Sequence, residues 1–118
     1  MEIAPGVFVS DVSDEWQPDD DPPGEVRILC DEEGLQAGLW RSVPGVTPEP
    51  VRWRVPSREV IFVLEASARI EIEDGPTLEV GAGDSASIPA GSVTTWHLGP
   101  GFRELWVLAG EAPEFRKT

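Results

Sequence analysis

The sequence predicts an all-β protein, one domain in which short strands form a sandwich or barrel. Three observations support this class. Twelve glycines and twelve prolines interrupt the 118-residue chain at short intervals. Short runs of β-branched, aromatic and leucine residues lie between these breaks, as in all-β domains. No segment carries a sustained apolar repeat with the 3.6-residue period of an amphipathic helix, so we expect little helix.

Ten of these runs are predicted as strands. The clearest is 68–73, where Ile70 and Ile72 alternate with charged residues, the two-residue period of a half-buried strand. The "EDGPT" segment that follows favours a hairpin loop because it contains glycine. In chain order the runs are 6–10, 25–30, 35–42, 51–55, 59–65, 68–73, 77–80, 85–88, 93–98 and 103–109.

The charge balance limits the classes of partner. The chain has 22 acidic and 9 basic residues, a formal net charge of −13. Nucleic acids and anionic membranes would repel such a surface, so we expect neither as a partner. Many of the acidic residues lie in the proline-rich stretch 11–25, which we predict to be a solvated loop.

Length and termini suggest one domain, 1–118, with a core at about 35–109 and a loosely packed C-terminal tail at 110–118. The N-terminus lacks the pattern of a signal peptide, and no run is apolar enough for a membrane helix. We therefore expect a cytoplasmic protein. The single cysteine, Cys30, rules out an internal disulfide and lies in an apolar run, where it is expected to be a small buried residue.

The turn residues between 81 and 100 follow a known pattern. "GDSASIPAG" resembles the second conserved motif of cupins, G-x5-P-x-G-x2-H-x3-N, with Gly83, Pro89 and Gly91 at its positions. "SREVIFVLEASARI" resembles part of the first motif, G-x5-H-x-H-x3-4-E-x6-G, with Glu59 at the glutamate and Ala66 at the closing glycine.

Two further segments, "GLWRSVPG" and "PAGSVTTWHL", are similar to a group of small cupins that includes ureidoglycine aminohydrolases and ethanolamine-utilisation cupins. The resemblance covers residues 35–109 approximately. It implies a double-stranded β-helix, the cupin jelly-roll barrel. It implies much less about function, because one fold hosts many chemistries.

The departures from the cupin pattern concern its metal ligands. In that pattern three histidines and one glutamate hold a divalent metal. Here the first-motif histidine positions fall within 53–55, the second falls on Thr94, and Leu98 replaces the asparagine. Only Glu59 remains, and one carboxylate does not make a metal shell. We therefore expect no metal and no cofactor.

His97, the only histidine, is a candidate catalytic residue. On a regular strand it lies on the face opposite Thr94, Trp96 and Leu98, whereas a bulge after Gly91 would turn it inward. It is thus either a strand residue on the outer face or at a dimer contact, or an acid/base group in the pocket.

Glu59 is the second candidate catalytic residue. It shares strand parity with Ile61 and Val63, which predicts a carboxyl group facing the interior. Burial favours the protonated form and suits a general acid or base. The alternative is an ion pair with Arg52, Arg54 or Arg58, of little energetic value if exposed.

The candidate ligand-binding residues are mainly tryptophans. The chain has five tryptophans, and a barrel mouth lined with indoles would hold a planar or hydrophobic ligand. Trp106 is expected to serve packing instead, and an arginine fork would bind a ligand carboxylate. The candidates are Trp40, Trp53, Arg54, Thr94 and Trp96.

The leading functional hypothesis is a cupin that binds a small organic molecule in its barrel, with metal-independent lyase, isomerase or cyclase chemistry through Glu59. One alternative is a non-catalytic ligand-binding or sensor protein. Another is a metal enzyme with an atypical shell of Glu59, His97 and residues of the acidic loop. We also expect a homodimer, because a two-fold partner can cover exposed sheet edges.

Overall fold

The computed structural model describes residues 1–11, 15–20 and 23–110, and all the regular structure in these ranges is β-strand. The predicted all-β class is confirmed. Twelve strands follow in chain order: β1 Glu2–Ala4, β2 Val7–Phe8, β3 Gln17–Asp20, β4 Pro23–Glu32, β5 Leu35–Arg41, β6 Val51–Arg54, β7 Arg58–Glu65, β8 Ser67–Ile72, β9 Thr77–Gly81, β10 Ser85–Ile88, β11 Val93–Leu98 and β12 Arg103–Ala109.

The strands form two main antiparallel sheets. One has six strands in the order β10-β7-β12-β5-β4-β3, and the other has four in the order β6-β11-β8-β9. A separate ribbon pairs β1 with β2. Strands distant in sequence are neighbours in both main sheets, as in the jelly roll that the cupin resemblance implies.

The core lies between the two main sheets. Alternate residues of each strand point into it: Ile61 and Val63 on β7, Ile70 on β8 and Trp106 on β12 have no exposed surface. Packing is tight beside the large rings. A Cβ on Gly38 would overlap the Trp106 ring and lie 2.6 Å from the Arg27 carbonyl oxygen.

The acidic stretch 11–25 is more ordered than predicted. Within its described part, β3 spans Gln17–Asp20 and β4 begins at Pro23, so the loop prediction was wrong there. Proline fits because β3 is the edge strand of its sheet, where one side needs no ladder hydrogen bonds. The core also starts before residue 35, since Val26 on β4 is fully buried.

Trp16 packs the segment before β3 against the outer face of the six-stranded sheet. The centroid of its ring lies 4.1 Å from the guanidinium carbon of Arg41, 5.6 Å from that of Arg27 and 5.2 Å from that of Arg103. Such cation–π contacts stabilise by about 0.5–1 kcal/mol each at exposed sites.

The C-terminal tail prediction concerns mainly 111–118, which lie outside the described residues.

Two glycines of the cupin-like second motif adopt backbone conformations that favour glycine. Gly83 has φ of 90° and Gly91 has φ of 85°. Ala66, at the position of the first motif's closing glycine, also takes a left-handed φ of 62°. For an L-residue this conformation costs about 1 kcal/mol. The turn between β7 and β8 therefore keeps a backbone conformation typical of glycine although its residue is alanine.

Cys30 is half-buried on β4. Burial first, and then the Glu32 and Asp31 carboxylates, raise the pKa of its thiol above the ordinary value. The uncharged thiol therefore dominates at neutral pH, and the residue behaves as a weakly reactive side chain.

No helix able to cross a membrane occurs in the parts of the chain that the structure describes.

Candidate functional site

The interior between the sheets contains a cavity lined by residues from five strands. Including its opening, the space measures about 290 Å³, but its free interior is only about 10 Å³, room for roughly one water molecule. The lining residues are Trp40 of β5, Val51 and Trp53 of β6, Glu59 of β7, Trp96 and Leu98 of β11, and Glu104 of β12.

Glu59 is the buried carboxylate that its strand parity predicts. It is 1% exposed, and its Oε1 accepts a hydrogen bond of 3.0 Å from the indole Nε1 of Trp53. Trp53 is itself 8% exposed. Because β6 and β7 belong to different sheets, this hydrogen bond joins the two layers across the cavity.

Thr94 connects two further lining residues. Its hydroxyl donates to the Trp53 carbonyl oxygen at 2.6 Å and accepts from the Trp96 indole Nε1 at 2.8 Å. Thr94 has no exposed surface. One hydroxyl therefore fixes the backbone of one tryptophan and the ring of another.

The turn at Gly91 positions the end of β6 next to Thr94 and the tryptophans that it contacts. The Gly91 amide donates to the Val55 carbonyl oxygen at 2.7 Å, and the Val55 amide donates to the Ser92 carbonyl oxygen at 2.9 Å. This pairing sets the end of β6 against the start of β11, and thereby places Trp53 beside Thr94.

Comparison with known proteins identifies the family to which this chain belongs. A family model of EutQ-like cupin domains matches residues 30–103. The chain belongs to this cupin family. Its structure is similar to that of a protein from Salmonella typhimurium LT2 named for ethanolamine utilization (EutQ), with a TM-score of 0.73, 25% identity, and coverage of 89% of this chain and 87% of that chain.

Two other solved cupin structures share the fold. An RmlC-like cupin from Shewanella frigidimarina NCIMB 400 aligns with a TM-score of 0.70 and 18% identity, covering 89% of this chain and 91% of that chain. The Clostridium difficile EutQ protein aligns with a TM-score of 0.63 and 18% identity, covering 80% and 67%. No curated protein sequence matches the chain.

The interior of this cupin does not fit the metal of the cupin pattern. The positions that carry metal ligands there bring together one carboxylate, Glu59, with the hydroxyl of Thr94 and the apolar side chains of Trp53 and Val55. Glu59 Oε1 and the Thr94 hydroxyl oxygen already accept hydrogen bonds from tryptophan Nε1 atoms. Across the described ranges, no three or more histidine, cysteine, aspartate or glutamate side chains cluster as a metal site. A divalent ion needs several such donors.

Glu104 is a cavity residue that the sequence motifs do not mark. It is 4% exposed and lies opposite Trp40 in the β12–β5 register. A signal for it exists in the sequence, since Glu104 shares strand parity with Trp106 and Leu108 and therefore with an apolar face. The cavity wall thus carries two carboxyl groups, from β7 and β12.

The structure does not bring His97 and Arg54 to the cavity. His97 lies on the outer face of β11, where its Nε2 contacts the Glu71 carboxylate. Arg54 is exposed on the outer face of β6 because its neighbours Trp53 and Val55 point inward. Strand parity accounts for both placements, and β11 keeps a regular register with β8 through His97.

Trp40 and Trp96, by contrast, face the cavity as predicted and are backed by Phe102. The ring centroids of Trp40 and Phe102 are 6.1 Å apart, and those of Trp96 and Phe102 are 6.3 Å apart in an edge-to-face arrangement. Gly24 also lies against the Trp40 ring, where a Cβ would come within 2.4 Å of the indole. Trp106 is buried in the core and does not line the cavity.

We predict that Thr94→Val lowers the free energy of unfolding by about 1–3 kcal/mol, because the buried Trp53 carbonyl and Trp96 indole each lose a hydrogen-bond partner. Urea unfolding measures this. The matched control is Thr95→Val, on the outer face of the same strand, which should change stability by less than about 0.5 kcal/mol. Equal effects of the two substitutions would contradict the role assigned to the Thr94 hydroxyl.

Proposed function

We propose that this cupin binds a small organic molecule in the interior cavity. The observation that carries the proposal is the convergence of three indoles, those of Trp40, Trp53 and Trp96, on one opening in the barrel. They are 2, 8 and 4% exposed, so the three rings are enclosed by the barrel and shielded from bulk water. Apolar walls with a few polar groups are typical of ligand sites.

The opening lies on the side of Val51 and Leu98, the two lining residues that are partly exposed. The free interior of about 10 Å³ admits only a small group. A ligand of several heavy atoms therefore places a small end between the indoles and its remainder toward Val51 and Leu98.

Glu59 supports a second, finer proposal, that the bound molecule exchanges a proton with this carboxyl group. Its Oε1 is hydrogen-bonded to Trp53, which fixes the carboxyl group at the cavity wall. Metal-independent lyase, isomerase or cyclase chemistry uses a positioned acid/base group of this kind. In the non-catalytic alternative, the wild-type chain binds the ligand and no product forms.

We do not propose the metal enzyme considered above. Glu59 faces the interior, whereas His97 lies on the outer face of its sheet beside Glu71. One side chain faces the barrel interior and the other faces outward, so the two cannot ligate one ion. His97 is likewise left out of the proposed proton exchange, because it has no access to the cavity from that face.

Intrinsic indole signals test the binding proposal. The ¹⁵N-labelled protein is titrated with neutral alcohols, small amines and small carboxylates of two to six heavy atoms. We expect saturable shifts of the Trp53 and Trp96 indole signals, because these rings line the cavity, and little shift of Trp106. Trp53→Ala should abolish the response at Trp96, whereas Trp106→Phe should preserve it. The proposal fails if no probe shifts these signals, or if Trp106 responds equally.

We also propose that the chain forms a homodimer through the outer face of β7 and β12. Val60, Phe62 and Leu64 are 42, 42 and 38% exposed, although the inward residues of β7 are buried, so the strand is apolar on both faces. Leu105 and Val107 continue this patch on β12, opposite Phe62 and Val60. Strands of this composition are typically covered on both sides.

A second copy suits this patch because its five side chains carry no charge. Two chains of net charge −13 repel each other, and a carboxylate-free face lets them approach with less repulsion. A two-fold axis needs only this one self-complementary surface. The net charge likewise supports the proposals that nucleic acid and membranes are not partners, while a cytoplasmic location stays a prediction.

Light scattering of the full chain tests the dimer. We expect a mass twice the 12.8 kDa of one chain, and conversion to monomer by Phe62→Lys, since two buried charges would face each other across the axis. Thr95→Lys, on the outer face of the other sheet, is the control and should leave the dimer intact. A monomeric wild-type protein, or a Phe62→Lys variant that stays dimeric, would refute this interface.

A further inference from the structure

We infer that the ligand of the interior cavity is a small organic cation with a primary ammonium group; this inference rests on the proposed binding function. The seven side chains that line the cavity are either apolar or acidic. Three are indoles and two are carboxyl groups, one on each of the neighbouring strands β7 and β12. These are the two kinds of side chain that attract a cation most strongly.

The indoles contribute through their charge distribution. The face of an aromatic ring carries partial negative charge, and tryptophan binds cations more strongly than phenylalanine or tyrosine does. Trp53 and Trp96 are held by their Nε1 hydrogen bonds to Glu59 and Thr94. Trp40 packs against Gly24 and Phe102. The three indole rings are therefore held in position before any ligand binds, which lowers the entropy cost of binding.

The carboxyl groups set the sign of the ligand's charge. Glu59 and Glu104 are 1 and 4% exposed, so a cation in the cavity is shielded from water and its interaction with a carboxylate is strengthened. Burial alone favours the protonated form of a carboxyl group, whereas a cation beside it favours the carboxylate. A ligand carboxylate or phosphate would meet repulsion from the same groups. A neutral molecule would gain only the apolar contacts. The wall therefore discriminates in favour of a positive charge.

The size of the cavity selects the kind of cation. Its free interior of about 10 Å³ is close to the space of one water molecule, which an ammonium group resembles in size. A primary ammonium group has N–H donors for carboxylate oxygens, whereas a quaternary ammonium group has none and is larger. The alkyl part then lies toward the partly exposed Val51 and Leu98.

Four probes distinguish charge from size: ethylammonium, its neutral counterpart ethanol, the anion acetate, and the bulkier cation tetramethylammonium. Dissociation constants come from the Trp53 and Trp96 indole signals of the wild-type chain at fixed ionic strength. We expect ethylammonium to bind about tenfold or more tightly than ethanol, as a charge-assisted hydrogen bond implies, and acetate and tetramethylammonium to bind more weakly than ethylammonium.

Matched variants test which carboxyl groups are responsible. Glu59→Gln and Glu104→Gln keep side-chain size and should each weaken ethylammonium binding about tenfold, with a much smaller effect on ethanol binding. Glu71→Gln, which removes an outer-face carboxylate beside His97, should have no effect. The wild-type comparison of probes needs no variant, so it decides the inference even if a variant does not fold.

The outcomes separate this inference from the proposed function. If ethanol or acetate binds as well as ethylammonium, the cavity is a ligand site and the cation assignment is wrong. If tetramethylammonium binds best, the primary ammonium assignment is wrong. If none of the four probes, nor any member of the wider panel above, shifts the indole signals, both the inference and the binding function are wrong.

Discussion

The hydrogen bond from the Trp53 indole to Glu59 is the interaction on which the interior of this cupin depends. It is 3.0 Å long and joins the four-stranded sheet to the six-stranded sheet. A buried carboxyl group is costly without hydrogen bonds, and a buried indole N–H also needs an acceptor. Each group therefore satisfies the other. Thr94 extends the arrangement to Trp96, so one connected set of polar atoms positions two of the three cavity indoles.

This arrangement replaces a metal shell by packing. In the cupin pattern these positions converge on an ion, whereas here Trp53, Val55 and Thr94 fill the same region and leave about 10 Å³ free. The backbone scaffold is nevertheless retained, since the Gly91 turn still pairs with Val55 and Ala66 still takes the glycine-like φ. The cupin-like turns are thus present without the metal ligands of the pattern, and family membership alone does not fix function.

Strand period explains which features were predictable from sequence. Because side chains alternate, the positions of Glu59 and Trp96 inside and of His97 outside follow once the strands and the second motif are located. Glu104 follows the same rule but lies outside the motifs, so its place in the cavity was not predicted. The edge strand β3 was missed because its four residues, QPDD, have low strand propensity. Pairing with β4, a tertiary effect, overrides that propensity. Arg54 illustrates the reverse error, a residue chosen for its chemistry although its parity points outward.

The most direct test of this account is the indole N–H signal of Trp53 in the wild-type chain and in Glu59→Ala. We expect this signal to shift upfield and its hydrogen exchange to accelerate when the carboxyl acceptor is removed, while the Trp106 signal is unchanged. A Trp53 signal that is identical in the two proteins would contradict the claim that Glu59 holds the indole in place of a metal ligand.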